Sequence, residues 1–358
     1  MLSQATITVD LAKITQNTRT VVDALGPTRQ VFGVTKVTCG SPQVARAILA
    51  GGASGIADSR VENVARMRAA HVPGPFWSLR APVPAPSLAD DVVRLIDVSL
   101  QSELQTVRAL NDAAARAGTR HAIIAMVDLG DLREGVLPAD LPAFLDAANA
   151  LPAIDVLGIG ASLTCYGAIV PTAENLGELV AFTEAAEHRL GRRLHISGGM
   201  SSSLDALLAG VLPARVDSLR IGESILLGVS TVTRQPILGL HTDAITIAAP
   251  VIECLRKPSK PRGISAQDAF GGRPTFQDRG NRLRAICAIG RQDVVPENIT
   301  PLDPRVEVLG ASSDHLVLDV DALPTPPRLG DAITFVPGYA ATLAAFTSPY
   351  VEKVFLGQ

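Results

Sequence analysis

From residue 31 to residue 223, short apolar runs rich in Val and Ile alternate with stretches of helical periodicity. Runs of four to eight apolar residues bounded by turn signals read as buried strands, and amphipathic stretches between them read as crossover helices. The strands fall at 31–35, 55–58, 76–79, 94–99, 121–128, 156–163, 194–197 and 218–221, about eight in all, with helices over 44–50, 61–70, 103–117, 142–150 and 176–190. Eight strands separated in this way predict a (β/α)8 TIM barrel. The pattern breaks near residue 235, where Arg234-Gln235-Pro236 leads into the alternating segment HTDAITIAAPVIECL. Further short runs at 285–289, 306–309, 315–320 and 332–336 are separated by Pro- and Gly-rich connections, which predicts a second, C-terminal β-rich domain. The expected division is therefore 1–235 for the barrel and 236–358 for the β-domain, with a long loop over 261–279.

A chain of 358 residues accommodates one barrel of about 250 residues and a smaller partner domain. Its formal net charge of −3 supplies no basic face for a nucleic acid or an anionic membrane. Cys39, Cys165, Cys254 and Cys287 form no C-x-x-C pair, and the six histidines show no H-E-x-x-H spacing, so no metal site is expected. No stretch is long and apolar enough to span a bilayer and no signal peptide is legible, which points to a cytoplasmic protein.

Barrel chemistry collects where strands end, so the polar residue closing each apolar run is the place to search. Lys36 follows QVFGVT at the end of the first strand and is the only lysine between Lys13 and Lys257. A lysine desolvated there is disposed to the free amine, which condenses with an aldehyde; the alternative is a snorkelling surface lysine. HISGGMSSSL places Ser201 and Ser202 after the seventh strand, and SLRIGES places Gly222 and Glu223 after the eighth. Loops in these two places commonly grip a phosphate, although a Gly–Ser run also serves as a plain turn with a helix cap. Arg133 closes VDLGDLREG, and Arg220 sits inside the eighth run. An arginine in an apolar strand requires an acceptor, such as a pyridine nitrogen, or a carboxylate in a structural ion pair.

VTKVTCGSPQVARAILAGGASGIADSRVEN, VDLGDLREGV, LTCYG, SGGMSSSL, LRIGESILLG, DRGNRLRAICAIGRQDV, LGASSDHLVLD and TSPYV occur in this order along nearly the whole chain. In this arrangement the sequence resembles the fold-type III pyridoxal-phosphate enzymes, alanine racemase and its relatives, and within them the ornithine/lysine racemase branch. The resemblance implies pyridoxal 5'-phosphate bound as a Schiff base on Lys36, which also carries the proton on one face of an amino-acid substrate. It implies that Arg220 faces the pyridine nitrogen, Arg133 the phenolic oxygen, and Ser201, Ser202, Gly222, Glu223 and Tyr339 the phosphate. It also implies a homodimer with sites shared across the interface.

Three positions depart from the family. DAFGG puts Phe270 where alanine racemases carry a catalytic tyrosine, Met126 replaces a modifiable lysine, and Met200 replaces an asparagine beside the phosphate-binding serine. A second acid/base is therefore sought in ASSDH, as His315 or Ser313, with Cys165 and Tyr166 in reserve near the substrate. Asp314 is the candidate receptor for the terminal ammonium of ornithine or lysine; an Asx turn is its alternative. Three rival readings are an amino-acid decarboxylase of the same fold, a non-catalytic pyridoxal-phosphate carrier, and a binder of an amino acid or sugar phosphate without a Schiff base.

Overall fold

The computed structural model describes residues 3–357. It divides into two compact units: Leu11–Thr242, and a second one made of the chain's start with everything from Asp243 onward. The first strand, β1 (Thr6–Asp10), is thus joined to the C-terminal unit. Its register explains why: Ile7 lies opposite Ile247 of an antiparallel neighbour and Lys353 of a parallel one.

In the first unit, α1 (Leu11–Leu25) precedes the repeat. The chain then runs β2 (Gln30–Val34), α2 (Pro42–Ala50), β3 (Gly55–Asp58), α3 (Val61–Ala69), β4 (Phe76–Ser78), α4 (Pro86–Leu95), β5 (Val98–Gln101) and α5 (Leu104–Arg116). It continues through β6 (His121–Met126), α6 (Leu141–Asn149), β7 (Ile154–Gly160), α7 (Ala173–Leu190), β8 (His195–Met200), α8 (Ser201–Leu208), β9 (Ser218–Ile221) and α9 (Glu223–Leu227). Strands β2 to β9 form a closed parallel barrel, with Gln30 to Gly33 paired to Ser218 to Ile221 at the seam.

Local chemistry places the boundaries. Helix α7 begins three residues earlier than its apolar periodicity suggests, because Thr172 and Asn175 form a reciprocal capping box. Helix α4, which starts with Pro86 at its first position, takes Arg94 and Leu95 into its last turn and delays β5 to Val98. Phe32, Val34, Ala57, Trp77, Val98, Leu100, Ile124 and Met126 pack as one buried cluster, with the Phe32 and Trp77 rings stacked at 4.0 Å. On β8 and β9 polar pairs replace apolar ones: His195 Nε2 meets Ser218 Oγ at 2.7 Å, and the Arg220 guanidinium donates to Ser197 Oγ.

The second unit continues β1 with β10 (Ile245–Pro258), β11 (Asn281–Cys287), β12 (Ile299–Pro301), β13 (Glu307–Ala311), β14 (Leu316–Asp319), β15 (Ala332–Pro337), α10 (Tyr339–Thr347) and β16 (Glu352–Leu356). Its strands are ordered β12-β15-β10-β11-β14-β13, with β1 and β16 joined alongside β10. Residues 260–280 between β10 and β11 carry no regular element, as the Gly- and Pro-rich sequence predicts. Among the described residues no helix is long and apolar enough to cross a membrane.

Candidate active site

Strand β2 delivers Lys36 into a 3-10 turn, Lys36–Thr38, immediately beyond its end. The residue before it is fixed by the end of the neighbouring barrel strand β3: Thr35 Oγ1 donates to Asp58 Oδ2 at 2.7 Å. Asp58 Oδ1 in turn accepts from Asn63 Nδ2 at 2.9 Å and from the Arg60 N–H at 3.0 Å. Burial raises the Asp58 pKa, against the pull of these donors. Lys36 itself is half-buried.

Across the seam, Gly222 follows β9 so close to β2 that a Cβ there would lie 2.9 Å from Val34 Cβ. Ser201, the first residue of α8, joins the two neighbouring strand ends by accepting from the Gly222 N–H at 3.2 Å and the Ser224 N–H at 3.4 Å. Beside it Ser202 is 1% exposed. Its Oγ has no hydrogen-bond partner. A buried hydroxyl in that state costs about 1–3 kcal/mol unless a bound group completes it. Glu223, first in α9, is paired with Arg234, and burial raises its carboxyl pKa while Arg234 and the more distant Lys36 charge oppose the rise.

Arg220 is 2% exposed. Its Nη2 donates to Ala161 O at 2.8 Å and Ser162 Oγ at 3.4 Å, and its Nη1 to Ser197 Oγ. Among the described residues no carboxylate reaches it, so the structural ion pair is not formed. Burial lowers its pKa to about 10, with Glu134 opposing and Arg133 adding to the effect. The guanidinium stays charged at neutral pH and retains a demand for an anionic or lone-pair acceptor.

Arg133 extends from the β6–α6 loop. Asp128 Oδ1 ties that loop by accepting from the N–H groups of Gly130 at 2.8 Å and Leu132 at 3.2 Å. Glu134 holds the Arg133 guanidinium through both oxygens; burial works against that charge, but the Glu134 bond prevails and raises the arginine pKa. The buried Asp131 carboxylate fastens the next loop, accepting from Cys165 N–H at 3.2 Å and Tyr166 N–H at 3.0 Å. Cys165 and Tyr166 are exposed, and Cys165 Sγ lies 3.0 Å from Met200 Sδ. Met126 belongs to the apolar barrel core.

The barrel thus gathers Lys36, Ser201, Ser202, Arg220, Gly222 and Glu223 on adjacent strand ends, with Arg133, Cys165 and Tyr166 on the loops after β6 and β7. The other candidates lie in the second unit. Ser313, Asp314 and His315 form the exposed turn between β13 and β14, where Asp314 accepts from Ser313 Oγ at 2.8 Å and from the Gln292 amide. His315 Nδ1 lies 3.4 Å from Ser312 Oγ, so the imidazole faces outward from a turn rather than into a strand. Tyr339 opens α10, whose first turn is tied by Asn298 Oδ1 accepting the Ala341 N–H at 3.0 Å. Phe270 is exposed in the long loop, with the Arg291 guanidinium 5.2 Å from its ring centre.

Asp58, Asp131, Ser197 and Arg234 were not legible as site residues. Asp58 and Asp131 do end or follow apolar runs, and that position is the signal that could have identified them.

Comparison with known proteins places the family and the fold. The family model for the alanine racemase N-terminal domain matches residues 9–230. An ornithine racemase of Acetoanaerobium sticklandii is 38% identical over 354 residues, covering 98% of this chain and 99% of that one. A lysine racemase of Thermotoga maritima is 38% identical over 349 residues, 97% of each chain. Among solved structures, alanine racemase from Streptomyces coelicolor superposes with a TM-score of 0.73 at 19% identity, covering 99% of this chain and 98% of that one. Alanine racemase from Bartonella henselae, with covalently bound pyridoxal phosphate, gives 0.72 at 15% identity and covers 99% and 100%. By sequence and architecture the chain belongs to the alanine racemase family.

Proposed function

We propose that this protein is a pyridoxal 5'-phosphate-dependent racemase of a basic amino acid such as ornithine or lysine. The observation that carries the reading is Arg220, buried without a carboxylate partner on the strand that pairs with the one delivering Lys36. The unsatisfied Ser202 Oγ fits the same group, as does the first turn of α8, whose N–H groups are available to an anion.

In this reading Lys36 holds the cofactor through its aldehyde, and Ser201, Ser202, Gly222 and Glu223 hold its phosphate. When bound, the cofactor withdraws electrons from the substrate Cα and makes its proton removable. Arg220 presents a donor to the pyridine nitrogen and keeps it unprotonated, which tempers that withdrawal and favours return of the proton. Arg133, steadied by Glu134, faces the phenolic oxygen. Lys36 Nζ removes or returns the proton on one face. His315 or Ser313, brought by the partner copy of a homodimer, serves the other face; an imidazole nitrogen both takes up and gives back a proton, which an unaided hydroxyl does poorly, so His315 is preferred. Asp314 receives the terminal ammonium of the substrate, while Cys165 and Tyr166 line its approach. The full length shared with an ornithine and a lysine racemase supports the substrate class. The proposal includes action in the cytoplasm.

Incubating the pure protein with single enantiomers of ornithine, lysine, alanine, serine and arginine in deuterated water tests the reading. The expected result is α-deuterated product of both configurations, fastest for the two diamino acids, with no carbon dioxide released. Lys36→Ala is expected to slow exchange by roughly a hundredfold to ten-thousandfold, the usual contribution of a positioned acid/base group. Carbon dioxide release with formation of the corresponding amine and no opposite enantiomer supports a decarboxylase, and a coloured protein that exchanges no substrate supports a carrier. Failure of borohydride to fix colour to the Lys36 peptide overturns the covalent cofactor itself.

A further inference from the structure

Glu223 poses an electrostatic problem for the site just described. Glu223 opens α9 directly after Gly222, at the subsite that the reading above gives to a dianionic phosphate, and like charges repel. The side chain is only 13% exposed and is paired with Arg234, whose side chain is 64% exposed. Arg133 is held by Glu134, and Arg220 is committed to Ala161, Ser162 and Ser197, so neither is placed to neutralise this carboxylate. Arg234 uses Nη1 on Glu223 and has further donors on the same planar group.

The turn that carries Arg234 is firmly built. Its N–H donates to Ser230 O at 3.0 Å, Ser230 Oγ accepts from the N–H groups of Val232 and Thr233 at 3.1 and 3.0 Å, and Val229 bridges to Pro236. Arg234 adopts a φ of 61°, an unfavourable left-handed conformation for a residue with a Cβ. Two buried hydroxyls lack hydrogen-bond partners, Thr231 Oγ1 on this turn and Ser202 Oγ on α8.

We infer that Arg234 is the cation of the phosphate subsite, clamped by Glu223 and donating its remaining N–H groups to the phosphate of the cofactor. The inference rests on the cofactor reading above. It supplies that subsite with a positive charge in addition to hydroxyls and backbone N–H groups, and it makes the phosphate a larger share of the recognition of the cofactor.

The test is equilibrium binding to the apoprotein of pyridoxal 5'-phosphate and of pyridoxal, which has the aldehyde but no phosphate. Compared with the wild type, Arg234→Met is expected to bind pyridoxal 5'-phosphate roughly ten to a hundred times more weakly, the range for one charge-assisted contact. Its affinity for pyridoxal stays within about twofold, and Arg234→Lys recovers part of the loss. Equal affinity for pyridoxal 5'-phosphate in wild type and Arg234→Met overturns the inference and leaves the cofactor reading standing. An equal loss for both aldehydes, with Arg234→Lys no better than Arg234→Met, also overturns it by marking the arginine as merely structural. A wild-type apoprotein that binds neither aldehyde overturns both.

Discussion

Single positions of the candidate site are held by neighbours that remove their freedom. Thr35 and Asp58 fix the backbone from which Lys36 leaves, and a carbonyl and hydroxyls accept from the buried Arg220. Asp131 shows the same principle in a residue that touches no reacting group. Its carboxylate accepts from three N–H groups of the β7–α7 loop, those of Cys165, Tyr166 and Ile169, and its carbonyl accepts a fourth from Gly167 at 3.0 Å. Asp131→Ala leaves the three amides bound by the carboxylate to water or to nothing, and the expected cost is about 1–3 kcal/mol. Hydrogen exchange followed by mass spectrometry is expected to show faster exchange confined to residues 164–169. Unchanged protection there removes the loop-clamp role. Lys36 and Arg220 were readable from their surroundings in the chain, a lone lysine after an apolar run and an arginine inside one. Asp131 was not, because its partners lie more than thirty residues away.

Among the elements, the barrel strands were recoverable because burial on both faces leaves a continuous apolar run. Their ends were less so, since β5 and α7 begin where a proline-started helix and a capping box put them. The short helices α8 and α9 were hidden inside motifs read as loops. Strand β6 opens with a pH-sensitive feature: His121 is 2% exposed. Its Nε2 lies 2.8 Å from Ser99 Oγ. Burial lowers its pKa to about 4, only weakly opposed by Asp97. The unfolded chain therefore binds more protons than the folded one between pH 6.5 and about 4, so stability falls as pH drops through that window. A shift of this size corresponds to roughly 3 kcal/mol. Urea denaturation across the window is expected to show His121→Gln losing markedly less stability than the wild type on acidification. Parallel pH profiles for the two proteins sink the assignment.

At the level of the whole molecule, the division into a TIM barrel and a β-rich unit followed from a change of hydrophobic period near residue 235. The membership of β1 did not. Its five residues read as an unremarkable start, yet Ile7 is fully buried between β10 and β16, more than two hundred residues away in sequence. Ile7→Ala is expected to destabilise the C-terminal unit by about 2–5 kcal/mol, as a large-to-small change in a packed core does. Limited proteolysis is expected to cut first after residue 243, and first cleavage inside the barrel contradicts the assignment. Periodicity, strand-end polar residues and turn chemistry are local properties, and from them alone the chain's order already specified eight barrel strands, a β-domain, the amine on Lys36 and the odd arginine on β9. Which side chains meet is a matter of closure and register: the seam that sets β2 beside β9, the ion pair of Glu223 with Arg234 and the pairing of β1 with the far end of the chain. Those contacts form between distant residues, whose free energy depends on three-dimensional packing that no window of the sequence contains.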